Sequence, residues 1–136
     1  KTGKDASPID QTANRYDRGK KILGELTKTP QPETLSGYSA FAPTIDTFLK
    51  EHLFADIFER DVLTYAEREL VTVSVIASIG KAEPMLRSHL AICLNVGLTP
   101  QQLQEFVSVI KSTIGKKEAK SAHKVLDEVL ATNKSK

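Results

Sequence analysis

Apolar residues along this chain recur mostly at intervals of three and four, the spacing that lines one face of an α-helix. In "NRYDRGKKILGEL" the repeat falls on Tyr16, Ile22, Leu23 and Leu26. From Ala40 it falls on Phe41, Ile45, Phe48, Leu49 and His52, with a short helix expected over "ADIFER". "LTYAERELVTVSVIASIG" is ambiguous in its middle, where "LVTVSVI" alternates like a strand. Its edges decide for a helix: Thr64 and Glu67 have the spacing of a capping box, and Gly80 stands where a helix would stop. Its second half is apolar nearly all round, which predicts near-complete burial. In the next stretch Leu86, His89, Leu90 and Cys93 share a face, Pro84 suits the first turn, and Gly97 ends it. "LTPQQL" then carries a cap at Thr99, proline at the first helical position, Gln102 to complete a capping box, and Leu98 and Leu103 as a hydrophobic staple. Leu103, Phe106, Val107, Ile110 and Ile114 form that helix's stripe up to Gly115, and Ala119, Ala122, Leu126, Val129 and Leu130 point inward from the last helix.

The pattern predicts an all-α fold, a compact bundle of about six helices joined as short hairpins. Residues 1–36 are expected to form a polar arm, a first helix and a loop, and residues 37–136 the main helical domain. The arm, Lys1 to Thr12, reads as flexible. The loop "TKTPQPETLSGYS" is long for a connection between helices, and such loops often cover or line a pocket.

Composition narrows the class. With 136 residues, 40% hydrophobic and 26% charged, the chain has enough material for one real core. A net charge of +2 leaves no electrostatic footprint for nucleic acid. The lysines of "KKEAK" and "ATNKSK" read as a solvated helix face and a frayed tail. One cysteine excludes an internal disulfide and a paired-thiol site. No apolar run approaches membrane-spanning length. A cytoplasmic setting is favoured, with export or a periplasmic location left open because the first residue is Lys1 and not methionine.

Three histidines, His52, His89 and His123, lie on or beside apolar stripes. Three imidazoles can hold a catalytic zinc, but these spacings match no metal motif, so no metal and no other cofactor is expected. His89 has acidic and basic neighbours in Glu83 and Arg87, and Glu67, Arg68 and Glu69 open the preceding helix. A carboxylate that orients an imidazole fixes its tautomer and suits it to proton transfer. The competing reading of the same carboxylates is a solvated first turn favoured by the helix dipole, and the residues alone put it slightly ahead. Cys93, one turn after His89, reads either as a nucleophile paired with it or, preferably, as a small hydrophobe with a raised thiol pKa.

The segment "ERELVTVSVIASIGKAEPMLRSHLAICLNVGLTPQQLQEFV" resembles the core of the carboxymuconolactone decarboxylase family, which includes alkylhydroperoxidase D-like proteins. The likeness rests on the "REL" turn, the small-residue helix ending in glycine, the histidine followed by leucine, and "LNVGLT", and it extends from about Phe48 to Leu130. It implies an alkylhydroperoxidase D-like fold, a homo-oligomer of three or six chains, and one of two activities. One is cofactor-free decarboxylation of a lactone acid. The other is thiol peroxidase chemistry from a CxxC pair followed by histidine. On this alignment the cysteine positions are Ala82 and Met85, so dithiol peroxidase activity is not expected. His89 matches the family histidine and Glu69 the glutamate of the "REL" turn. Two departures stand out: one extra residue around Lys81 to Pro84, and "STIG" where many relatives have tyrosine before the glycine matched by Gly115.

The resulting expectation is acid–base chemistry, decarboxylation or isomerisation, on a small organic acid or lactone. His89 acts as acid or base, Glu69 orients it, and Arg87 contacts a substrate carboxylate through its matching fork. The alternative is a non-catalytic ligand-binding or structural oligomer of the same fold. Assembly has a physical reason besides the resemblance: two strongly apolar helices, 41–58 and 65–79, are more than a chain this small can cover. An exposed patch should remain for identical copies to close by rotation, with the pocket near their interface.

Overall fold

The structure, a computed structural model, describes residues 2–133. It is all-α, with no strand among the described residues, and none of its helices is long and apolar enough to cross a membrane. The described residues fall into two compact units that divide between Tyr65 and Ala66.

The first unit contains α1 (Arg15–Thr27), α2 (Gly37–Phe41) and α3 (Pro43–Phe48), which runs on into a π-helix, Leu49–Phe58. Asn14 caps α1 by accepting the amide of Asp17, and Lys28 ends it in the left-handed conformation (φ 52°). The arm before α1 is non-helical as expected, but it is tied down: Ser7 donates to Asp61 from both its amide (2.9 Å) and its hydroxyl (2.6 Å). The loop after α1 shapes an open groove with that helix, lined by Thr29, Pro30 and Gln31 against Lys20, Lys21 and Gly24.

The stripe read as one apolar face over residues 41–52 points outward. Phe41 is 91% exposed, and Ile45 and Phe48 are about half exposed, while Asp46, Lys50, Phe54, Ala55 and Phe58 are buried. Two physical causes override the simple periodicity. The i→i+5 bonding of the π-helix widens each turn, so apolar residues before and after Leu49 no longer share a face. The buried polar residues also satisfy one another. Lys50 Nζ donates to both carboxylate oxygens of Asp46 (2.8 and 2.7 Å) and to the Tyr16 hydroxyl (3.0 Å). Asp46 also accepts from Tyr16 (2.9 Å) and Ser39 (2.6 Å). Burial alone would raise the Asp46 pKa, but the bonds from Lys50, Ser39 and Tyr16 outweigh it and hold the carboxyl below its ordinary 3.8. Burial likewise opposes charge on Lys50, and the same partners push its pKa above 10.5.

Removing one member of such a pair leaves a buried charge without its counterion, so Lys50→Met should cost about 3–5 kcal/mol in urea unfolding. The pH dependence has a definite sign at each end. The Asp46 contribution is complete above pH 3.8 and is lost as pH falls through the lower folded value. The Lys50 contribution is complete below pH 10.5 and is lost as pH rises through the higher folded value. Between these limits the pair's contribution should be level, and Lys50→Met should remove it.

The second unit is built from α4 (Tyr65–Ile79), α5 (Glu83–Asn95), α6 (Pro100–Thr113) and α7 (Lys116–Asn133). Gly80 (φ 70°) ends α4, and the positive φ continues into Lys81 (57°), which occupies the region of the extra residue noted above. Pro84 lies in the first turn of α5, and Gly97 (φ 102°) follows its end, where the Leu98 amide donates back to the Cys93 carbonyl (2.9 Å). The capping box of α6 is complete: Thr99 accepts from the Gln102 amide (3.2 Å) and Gln102 accepts from the Thr99 amide (2.9 Å). α7 packs on both α5 and α6. The core joins Val73, Ile76 and Ala77 to Leu86, Leu90, Leu103 and Leu126, with Leu98 packed against it. α4 departs from the expected near-burial, since Leu70, Val71, Val75 and Ile79 are exposed. The expected frayed tail is helical through Asn133, and residues 134–136 lie outside the described part.

Candidate functional site

α4 and α5 are joined by a three-residue turn and fold back on each other. Glu69 lies eleven residues before Gly80 and His89 nine residues after it. Along the helices themselves, at 1.5 Å per residue, Glu69 lies about 15 Å before the end of α4 and His89 about 9 Å after the start of α5, so their meeting depends on how the two helices cross. The structure brings them together: His89 Nδ1 is 2.9 Å from Glu69 Oε2. A carboxylate in this position accepts from an Nδ1–H, and the tautomer that supplies that hydrogen is the one whose Nε2 has a free lone pair. Glu69 is fully buried, and its other oxygen, Oε1, has no hydrogen-bond partner among the described residues. The side chain of His89 is 16% exposed. The reading of Glu69 as part of a solvated first turn is thereby corrected. The hairpin register and the imidazole bond carry it into the interior.

The other two histidines are paired separately, His52 with Asp56 and His123 with Asp127, each at 3.5 Å on an exposed surface. No three potential metal ligands converge among the described residues. Arg87 is half exposed and forms an ion pair with Glu128 of α7. Two concavities of this unit, the open face of α4 and a small cleft at the α4–α5 turn, do not include His89 in their linings.

Cys93 is buried in the core, as the hydrophobe reading expects. Burial pushes its thiol up to about 12, and the negative charge of Glu69 adds to the shift. A thiol of that kind is a poor nucleophile at neutral pH. A steady-state hydroperoxide assay with a dithiol reductant should therefore give only the background rate. Turnover that disappears in Cys93→Ser would contradict this.

A family model described as the carboxymuconolactone decarboxylase family matches residues 43–128, more than half of the chain. The chain belongs to the carboxymuconolactone decarboxylase family. The match takes in Glu69, Arg87, His89 and Cys93, while α1 and α2 precede it. A curated relative, the 4-carboxymuconolactone decarboxylase of Acinetobacter baylyi (strain ATCC 33305 / BD413 / ADP1), is 29% identical over 94 residues, covering 68% of this chain and 69% of the relative. Of the two positions where dithiol peroxidases carry cysteine, Ala82 precedes the first turn of α5 and Met85 is exposed within it. The Asp46–Lys50–Tyr16 cluster went unread in the sequence. Its one legible signal was the i,i+4 spacing of Asp46 and Lys50.

Proposed function

We propose that this carboxymuconolactone decarboxylase-like protein catalyses cofactor-free decarboxylation or isomerisation of a small organic acid or lactone. The observation that carries the proposal is the pairing of His89 with the buried Glu69. Glu69 holds Nδ1–H, so Nε2 is the nitrogen that exchanges a proton with substrate. In an isomerisation, Nε2 takes a proton from the carbon next to a carbonyl and returns it elsewhere on the conjugated system. In a decarboxylation, the bond to the carboxylate carbon breaks and CO2 leaves. Its electron pair passes into the neighbouring unsaturated system, and the ring, first protonated at Nε2 from solvent, delivers that proton to the carbon and returns to its neutral form. A carboxylate behind the ring stabilises that imidazolium in either case. Arg87 serves as an anion contact by exchanging the carboxylate of Glu128 for that of the substrate, so Arg87→Ala should raise KM more than it lowers kcat.

The working form is a homo-oligomer of three or six chains, with the pocket over His89 completed near a subunit interface. A non-catalytic, ligand-binding oligomer is the second reading, favoured by the engagement of Arg87 with Glu128. Incubation of the purified protein with 4-carboxymuconolactone, following CO2 release and the NMR spectrum of the products, separates the two. CO2 or a rearranged lactone supports catalysis on that substrate. Saturable binding without turnover supports the second reading.

A further inference from the structure

The groove between α1 and the loop after it is used by nothing in the Glu69–His89 chemistry. Its lining residues, between positions 17 and 33, all precede the stretch matched by the family model. The groove encloses about 570 Å³, within the roughly 300–1,000 Å³ of small-molecule sites. One wall is held in place by its own bonds. Lys28 turns the chain back at the end of α1 (φ 52°), and the Thr29 amide donates to the Gly24 carbonyl (3.1 Å). Gln31 Nε2 donates to the Thr27 hydroxyl and to the Thr29 carbonyl, both at 3.2 Å. The floor is bare backbone at Gly24, where an added Cβ would lie 3.5 Å from the Thr29 carbonyl oxygen.

The groove's charges are unevenly matched. All three of its carboxylates are engaged: Asp17 accepts from Asn14 Nδ2 (2.5 Å), Glu25 from the Tyr65 hydroxyl (3.1 Å) and Glu33 from Lys20 (2.7 Å). Of its three lysines only Lys20 has a carboxylate partner; Lys21 and Lys28 have none among the described residues. The Lys20 pair is itself lopsided, because the lysine side chain is 17% exposed and that of Glu33 is 93% exposed. So exposed a carboxylate holds its partner weakly, and an incoming anion can take its place. Lys21 and Lys28 are seven residues apart, which puts them on one face of α1 and about 10 Å apart along it, with Gly24 between them.

We propose that this groove binds a small, elongated organic dianion of the dicarboxylate type. One end meets Lys28. The other meets Lys21 and displaces Glu33 from Lys20, and the uncharged middle lies over Gly24 against Pro30. Ammonium groups act as point charges, so they accept a carboxylate without demanding one orientation. The site shares no residue with the pair on α4 and α5 and does not depend on the reaction proposed there.

Amide NMR of the full chain at low ionic strength, following Gly24, Lys28 and Thr29, tests this with three probes: pimelate, hexanoate and inorganic phosphate. Pimelate is expected to give saturating shifts, and hexanoate and phosphate to bind about threefold or more weakly, since each lacks one of the two separated contacts. Lys21→Gln combined with Lys28→Asn should weaken pimelate about tenfold, at about threefold for each exposed charge pair. Asparagine is chosen at 28 because it tolerates the left-handed backbone. If circular dichroism shows the end of α1 disturbed, Lys21→Gln alone should still give the threefold loss. Glu33→Gln removes the competing carboxylate and should tighten pimelate about twofold to threefold. Glu105→Gln, the same charge change outside the groove, should leave the affinity unaltered. Shifts that never saturate, hexanoate binding as well as pimelate, or lysine variants that bind like the parent would overturn the site. Phosphate binding more tightly than pimelate would overturn the dicarboxylate assignment, and equal tightening in Glu33→Gln and Glu105→Gln would overturn the displacement of Glu33.

Discussion

Replacing His89 by glutamine is expected to lower kcat for the proposed reaction by roughly 10²–10⁴-fold, the usual contribution of a positioned proton-transfer group. KM should change little, because the ring is assigned to proton transfer and not to holding the substrate. Glu69→Gln probes positioning. Its amide can donate to Nδ1, which would place the hydrogen on Nε2 and remove the lone pair the base needs. That variant should therefore lose kcat at nearly constant KM, and Glu69→Asp should recover part of it. A proton NMR resonance from Nδ1–H, slowed in exchange by the buried carboxylate, should be present in the parent and absent in Glu69→Gln. Loss of activity with the resonance intact would remove Glu69 from this role.

Gly19→Ala is expected to produce the largest stability loss among the small substitutions. A Cβ on Gly19 would fall 1.8 Å from the carbonyl oxygen of Lys50 and 2.5 Å from its carbon. Both are backbone atoms of the π-helix, so no side chain can swing aside and the two helices must separate. Alanine's better helix propensity offers only about 1 kcal/mol in return. The overpacking should cost about 3 kcal/mol or more, since it also displaces Lys50 from Asp46. Gly24→Ala in the same helix is the control. Its nearest neighbour is 3.5 Å away, an ordinary contact, so it should be neutral or stabilising by up to about 1 kcal/mol. Urea unfolding of the two variants side by side measures both effects.

The second unit was readable because its signals are local and agree with one another. Gly80, Pro84, Gly97, Thr99, Gln102 and Gly115 each mark a boundary through a backbone requirement, and the helices end or begin within a residue or two of them. The meeting of Glu69 with His89 was expected from the family resemblance, in which Glu69 orients the histidine. The residues alone put a solvated first turn slightly ahead, because local position near the start of α4 says nothing of how the two helices cross. The first unit resisted reading for a different reason. Its interior is organised by Asp46 and Lys50, residue types that a hydrophobicity pattern assigns to water, and by the Tyr16 hydroxyl bonded to both. The π-winding of Leu49–Phe58 then breaks the 3.6-residue repeat on which that pattern depends. The outward-facing stripe of Phe41, Ile45 and Phe48 follows from this, since the residues that look most like core are displaced from it by a satisfied ion pair.

The lone thiol gives the molecule an internal clock. Cys93 is sealed in a core that joins α4, α5, α6 and α7, and its proton is held up to a pKa of about 12. A thiol reagent can label it only after those helices part and the sulfur meets water. With closing fast relative to labelling, the labelling rate divided by that of an exposed thiol is the fraction of time this core spends open. One unmodified residue thus reports the opening free energy of the unit that carries Glu69 and His89. Repeating the measurement across protein concentrations would show whether that rigidity depends on association between chains.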